Sequence, residues 1–493
     1  MQPAGARGVA RLESGLGIDQ RTGRRRRVLA VGLLAALLLS AAGIGGIAAT
    51  ATAVNATSSG GPIEVDISHN SSSTVVGEPE IAIDPHNSKN LFVSWATFPV
   101  PLSLNEVAPP RVCGGAVSND GGKHWHYVSV PTNHIPNING CEDGVAVTGP
   151  DGELYASGDF ATFTGVASGG GGIGILGGIV VHGQDWVTHS SNWGRSWSAP
   201  VESMGSDATR FVRGGTLPVD TFDRPWIAVD QSTNTVYAIG HNIGDHVGYI
   251  TASTNDARSF GKVYPTDSPT CPHDSNSFGG NVAAAHGILA TAYTAKQAPG
   301  ASCPCLIFET STNRGATWVR HIVPLQNASA EEPATIAADP AHKGNFALTV
   351  FDSTGTENQV YVTSDSGATW QGPVDVAESP PNQRFKAWIS YGPTGNNIAL
   401  VWRTWHGTPG SSPYDVWAAV GRPEGAKGVV FSAPMRVSSA TGSYPNGYVA
   451  GDDFSWIIAD RADVFVGWGD ARSGPVQTWM ARIPLSSFNF QSG

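Results

Sequence analysis

Charge is scarce in this chain: Asp, Glu, Lys and Arg make up 14% of its 493 residues, and basic residues are the rarer sign, 29 against 40. The shortage does not indicate disorder, because 40% of the residues are hydrophobic and they are spread along the whole length. No contrast between halves marks two unrelated domains, so length alone leaves the domain count open. Cysteine occurs five times, and no second Cys/His pair stands at ligand spacing from Cys303-Pro304-Cys305, which favours a loop staple over a metal site. Gly172-x-Gly174-x-x-Gly177 spells a dinucleotide fingerprint, but no helical pattern follows it, so no such cofactor is expected. In place of charge the chain has 61 glycines, 33 prolines and 15 tryptophans, the composition of a turn-rich, aromatic β protein.

Residues 1–53 read apart from the rest. Arg24 to Arg27 precede the uncharged stretch VLAVGLLAALLLSAAGIGGIAATATA (28–53), which ends in Ala51-Thr52-Ala53. A basic region, an apolar core and small residues at a cleavage position make a secretory signal, and the same stretch is long enough to serve as an uncleaved anchor. Either way the expectation is a body outside the cytoplasm, secreted or attached to the outer side of the membrane through 28–53, with 54–62 as a linker. Without the seven arginines and two acids of 1–53, the 29 basic and 40 acidic residues become 22 and 38, a net charge of −16. Such a body repels polyanions, so nucleic acid is not an expected partner. In an oxidising compartment Cys113 is expected to pair with Cys141, and Cys271 with Cys303 or Cys305, leaving one thiol.

Two internal repeats organise the body. SNDGGKHW (118–125), SSNWGRSW (190–197), STNDARSF (253–260), STNRGATW (311–318) and TSDSGATW (363–370) share the pattern Ser/Thr-x-Asp/Asn-x-Gly-x-x-Trp, with Ala257 and Phe260 the main departures. Asp or Asn accepts backbone N–H bonds two residues on, Gly tolerates positive φ, and the leading hydroxyl bonds across the turn. The closing Trp begins the next strand and buries a large ring between sheets. Asp120 and Asp365 are therefore turn residues, not catalysts. The second repeat is a strand, a polar turn and a second strand, found seven times, as in WIAVDQSTNTVYAIG (226–240) and WISYGPTGNNIALVW (388–402). In phase they place Ile81, Val145, Ile227, Val282, Ile336, Ile389 and Ile457 at equivalent positions. AVGRPEGAKGVVFSAP (419–434) reads as an eroded sixth copy of the first repeat, and IEVDI (63–67) is expected to supply the fourth strand of the seventh unit.

The first repeat is the Asp-box, or BNR, motif, and over about 62–485 the sequence resembles Asp-box β-propellers of the sialidase superfamily. The resemblance implies an all-β fold, a single propeller over 63–493. Seven blades are expected from the unit count, against the six that sialidases use, with closure by the N-terminal strand so that no sheet edge is left open. It also implies an exported protein that acts on or binds glycans, in the manner of an exo-sialidase. The alternative is a non-catalytic propeller that binds cations or an extracellular protein on an acidic face.

A propeller puts the loops that lead into the innermost strands on one face, and the Asp-box turns on the other. The leading loops carry Glu78 and Glu80, Glu142 and Asp143, Asp223, Glu331 and Glu332, and Asp452 and Asp453, with Asp159, Asp352 and Asp470 at second-strand ends. Converging carboxylates of this kind hold calcium or shift one another's pKa; the metal ligands expected are Glu78, Glu142, Asp143, Glu331 and Asp453. No cofactor beyond calcium is expected. The resemblance further implies three arginines on a sugar carboxylate, a tyrosine nucleophile with an acidic partner, and an aspartic acid. In this sequence the residues available for those places are Arg224, Arg403 and Arg472, Tyr448 (with Tyr444 nearby), and Asp223 and Asp452. Where the family's first arginine would stand, this chain has Gly77-Glu78-Pro79, which predicts weak or absent sialidase activity.

Overall fold

The five Ser/Thr-x-Asp/Asn segments fold into five equivalent turns. In each, the leading hydroxyl donates to the third residue (Ser118 to Asp120 at 2.9 Å, Ser311 to Asn313 at 2.9 Å, Thr363 to Asp365 at 2.8 Å) and accepts the N–H of the fifth. The Asp or Asn oxygen then caps the N–H of the seventh residue, as Asn313 does for Thr317 at 2.9 Å. The fifth residue has positive φ throughout, including Ala257 at 56°. A computed structural model describes residues 50–52, 61–68, 74–99, 113–131, 143–166, 178–205, 210–212, 222–242, 244–274, 279–326, 334–410, 412–425, 428–444, 452, 454–472 and 474–490. Of the expected leader, 1–53, only Thr50–Thr52 is described, as a short strand paired with residues 124–126; 1–49 and 53 lie outside the described residues.

Each turn joins the third and fourth strands of an antiparallel sheet, and seven such sheets follow one another. Blade 1 is Thr74–Ile83, Leu91–Pro99, Gly114–Ser118 and His124–Ser129; blade 2 is Ala146–Thr148, Leu154–Val166, Gly178–Ser190 and Val201–Met204. Blade 3 is Phe222–Asp230, Thr235–Asn242, Val247–Ser253 and Tyr264–Pro265; blade 4 is Val282–Ala285, Ile288–Ala295, Cys305–Ser311 and Val319–Ile322. Blade 5 is Thr335–Ala338, Phe346–Phe351, Asn358–Thr363 and Gln371–Val376; blade 6 is Arg384–Tyr391, Ile398–Trp405, Tyr414–Pro423 and Val429–Phe431, with Met435–Arg436 also on the third strand. Blade 7 is Ser455–Ala459, Asp463–Asp470 and Gln477–Pro484, completed by the N-terminal strand Ile63–Asp66 paired to Gln477–Pro484. The protein is thus an all-β, seven-bladed propeller closed by its N-terminal strand, and six blades are excluded.

The seven in-phase residues, Ile81, Val145, Ile227, Val282, Ile336, Ile389 and Ile457, together line the axial channel. The repeated turns share one face with the turns between first and second strands: Gly121 N–H bonds the Lys89 carbonyl at 2.9 Å, and Ser366 N–H the Gly344 carbonyl at 2.9 Å. The opposite face, the channel mouth, carries the loops that lead into the inner strands.

Each repeated turn also seats its blade on the one before. A Cβ at Gly315 (φ 85°) would come within 2.4 Å of Ile250 in blade 3, whereas one at Gly287 (φ 77°) would meet nothing within 4 Å. Gly287→Ala should therefore cost only the left-handed backbone strain, about 1 kcal/mol. Gly315→Ala should add overpacking and cost about 2–3 kcal/mol in a denaturant titration; equal losses at the two sites would show that the turns do not pack between blades. Among the tryptophans of these turns, Trp125 is fully buried, while Trp197, Trp318 and Trp370 are half-buried. Trp197 meets Phe92 of blade 1 at 5.5 Å and Trp370 meets Phe308 of blade 4 at 5.0 Å, so the rings do lie between sheets.

The expected bond from Cys271 to Cys303 or Cys305 is not formed. Cys303 and Cys305 are bonded to each other and Cys271 is a buried free thiol. The two partners flank one proline with Cα atoms 4.2 Å apart, which brings their sulfurs together locally, while Cys271 sits where its carbonyl takes the Tyr293 hydroxyl. Cys113 is disulfide-bonded, and Cys141 lies outside the described residues.

Candidate functional site at the channel mouth

The mouth is shaped by a bulge used three times. Register shifts fall between Gly77 and Glu80, Asp223 and Trp226, and Phe385 and Trp388, where the inner strands of blades 1, 3 and 6 begin. Within each shift one non-glycine residue has positive φ: Glu78 (56°), Arg224 (57°) and Lys386 (55°), each three residues before its channel aliphatic. A bulge re-aims the side chain it carries, and strain of this kind persists only where the surroundings fix it. Arg224 and Lys386 line a small pocket of about 60 Å³ with Trp226, Trp388, Phe351 and Phe454. The Arg224 guanidinium lies 5.7 Å from the Trp226 ring centre and 5.8 Å from that of Phe454, and Trp226 meets Trp388 edge-on at 5.8 Å. The result is an aromatic cradle with two cations.

Arg403 is not part of it. The side chain is 0% exposed and every N–H it owns is committed: Nε to Ser455 Oγ (2.8 Å), Nη1 to Asp452 (2.7 Å) and the Tyr444 hydroxyl (3.2 Å), and Nη2 to Asp452 (3.0 Å) and the Phe454 carbonyl (2.7 Å). Five donors are all a guanidinium has. Burial alone would raise the Asp452 carboxyl, but Arg403 and then Lys386 outweigh it and hold it below the usual carboxylate range. Burial, followed by the charge of Asp452, pushes the Tyr444 phenol well up, the opposite of what a tyrosine nucleophile needs. Arg472 is elsewhere again, bonded to Asp470 (2.7 Å), Glu64 (3.0 Å) and Ser439 (3.1 Å) beside the N-terminal strand. The expected meeting of Arg224, Arg403 and Arg472 thus does not occur, because two of the three are spent joining strands and blades. Tyr448 lies outside the described residues.

The acids divide in the same way. Glu78 accepts the Asp143 N–H (3.0 Å) and Glu80 the Ala146 N–H (3.0 Å), so blade 1 caps the start of blade 2. Burial, with a contribution from Glu78, raises Glu80 well above the usual range. Asp352 caps its own turn through Thr354 and Glu357. Asp143, Asp159 and Asp223 do come together, each offering one oxygen within 4.8 Å of the others. Burial pushes the neighbouring Asp185 carboxyl well up, and Asp223 and Glu202 add to the rise. Of the expected ligands Glu78, Glu142, Asp143, Glu331 and Asp453, only Glu78 and Asp143 belong to the described residues. Glu78 and Asp143 meet through a backbone cap, Asp452 is neutralised by Arg403, and Glu142, Glu331 and Asp453 lie outside the described residues.

Comparison with solved structures finds propellers. The Hadza microbial sialidase Hz136 is similar at 15% identity, with 81% of this chain and 77% of that one covered and a TM-score of 0.45. The NanB sialidase of Streptococcus pneumoniae follows at 13%, 86% and 70% coverage and 0.40, and the endosialidase of phage phi92 at 10%, 88% and 70% and 0.45. No family profile matches the chain, and no curated protein matches it.

Lys386 in RFKAW is legible from sequence as a cation near this face, like Arg224 in FDRPW, whereas Trp226, Trp388 and Asp185 were not singled out. The two tryptophans carried a signal, since FDRPW (222–226) and RFKAW (384–388) place a cation two residues before a tryptophan at the same phase. Asp185 carried none, lying mid-strand in QDWVTHS (184–190) with no turn or motif around it.

Proposed function

We propose that this is an exported binding propeller whose mouth takes an acidic glycan between Arg224 and Lys386 without hydrolysing it. The observation that carries the reading is the complete internal use of Arg403, which leaves no donor there for a sugar carboxylate. Two cations beside indole and phenyl rings suit the anionic group of a carboxylated or sulfated sugar, which would pair with guanidinium and ammonium at the pocket while Trp226 and Trp388, buried behind them, hold the two strand starts in place. A body of net charge −16 that keeps two cations at its mouth also discriminates for an anion locally rather than by long-range attraction. The sealed Asp452–Arg403–Tyr444 group supports binding over catalysis, since its acid and its phenol are tied to each other.

The test is calorimetric titration of the purified protein with a panel of acidic and neutral oligosaccharides in EDTA. An acidic sugar should bind, and Arg224→Ala with Lys386→Ala should weaken it by about tenfold or more, the worth of one lost charge-assisted contact. Binding confined to neutral sugars, or unchanged in the double variant, would contradict the proposal.

A further inference from the structure

We infer that the boundary between blades 2 and 3, on the mouth face, is a calcium site ligated by Asp143, Asp159 and Asp223. The three come from separate segments: the loop leading into blade 2, the second strand of blade 2, and the start of blade 3. Oxygens bound to one calcium at 2.3–2.6 Å lie at most about 5 Å apart, and these three lie within 4.8 Å of one another, so they meet the condition as they stand. Two are held by the backbone. Asp143 has φ 48° with its N–H fixed by Glu78, and Asp223 sits on the register shift before Trp226.

A cluster of acids is common on protein surfaces, but this one has a buried neighbour that calls for a cation. Asp185 is 0% exposed and neither carboxylate oxygen has a hydrogen-bond partner. It stands directly across from Asp159 in the strand register, which puts the two side chains on one face of the sheet. Its Oδ2 lies 2.1 Å from where a Cβ of Gly240 would be, and Gly240 precedes His241, the register partner of Asp223. Asp185 is therefore aimed into the same space between the blades, and Gly240 leaves room for it. An unpartnered carboxylate in such a place is costly, and a divalent ion beside it offsets that cost. The donors are all carboxylate oxygens, brought from one loop and two strands, a set that suits the larger, geometrically tolerant Ca²⁺ better than Mg²⁺. The site does not rest on the acidic-glycan reading, which is tested in EDTA. Of the five ligands expected from sequence it uses only Asp143, joined by Asp159 and Asp223 of the same acidic face.

The experiment is titration of EDTA-stripped full-length protein with CaCl₂, read by calorimetry and by the thermal unfolding midpoint, with MgCl₂ in parallel. One calcium per chain should bind and raise the midpoint by several degrees by mass action. Asp143→Asn with Asp223→Asn should abolish the response, whereas Asp352→Asn, an acid elsewhere on the mouth face, should keep it. Relieving repulsion among clustered acids does not remove packing, so the double variant is expected to fold; the single Asp159→Asn, with weakened binding, provides a second reading. No stoichiometric calcium binding to the wild-type protein at millimolar concentration, a response to magnesium alone, or undiminished binding in the double variant would overturn the assignment.

Discussion

Arg403→Ala is expected to destabilise the propeller by about 3–5 kcal/mol, the usual cost of leaving one partner of a buried ion pair alone. Asp452 would remain fully buried with the Tyr444 hydroxyl as its hydrogen-bond partner and only the Lys386 charge to offset its own, and the Arg403 stem and guanidinium would also leave their places near Tyr414 (5.5 Å) and Phe385 (5.8 Å). Arg403→Met with Asp452→Leu should recover most of the loss, because the desolvation of both charges disappears with them. The pair also predicts a direction with pH. The folded-state pKa of Asp452 is depressed, so its contribution is present above the ordinary carboxylate pKa and is lost as pH falls through the depressed folded value. Denaturant titrations at neutral and acid pH measure both effects. A loss below about 1 kcal/mol would be that of a solvent-exposed pair, and would return Arg403 to the residues able to meet a ligand.

Trp125→Ala is expected to cost about 3–5 kcal/mol, and more than Trp318→Ala. The Trp125 ring is 0% exposed and its Nε1 donates to the Gly122 carbonyl at 3.0 Å, beside the Met480 side chain of blade 7. It therefore plugs the joint between the first and last blades, the one place where the ring must close across the ends of the chain. Trp318 keeps part of its ring in water and its Nε1 has no hydrogen-bond partner, so less is lost with it. The unfolding midpoints of the two variants, taken side by side, check the ranking; equal losses would mean that blade closure has no special dependence on Trp125.

The parts of the fold legible in the sequence were those set by local chemistry repeated in phase. Ser118, Ser190, Ser253, Ser311 and Thr363 each make the same turn because the hydroxyl, the Asp or Asn and the positive-φ residue are all within five positions. The aliphatic that faces the channel recurs once per blade, so Ile81 through Ile457 counted seven blades and left Ile63–Asp66 to complete the last. What the sequence did not disclose depends on where a side chain goes after it leaves a strand. Arg403 in VWRTW and Arg472 in GDAR look like available cations, but one points between blades 6 and 7 and the other toward Glu64, some four hundred residues away in sequence. Carboxylates in the leading loops likewise could be counted but not grouped, because the bulges at Glu78 and Asp223 decide which neighbours each one meets. Asp185 was invisible for the simplest reason: a strand interior gives an acid no sequence context, and only the packing of Gly240 opposite reveals its place.

Whether the mouth holds an anionic sugar or cleaves one is decided most directly by turnover of a fluorogenic sialoside by the purified protein. With Arg403 sealed against Asp452, Arg472 bound to Asp470 and Glu64, and Glu78-Pro79 where an arginine would have to stand, no release above the uncatalysed rate is predicted, in the presence of calcium or EDTA. Robust release that disappears in Arg224→Ala while the fold is retained would contradict it.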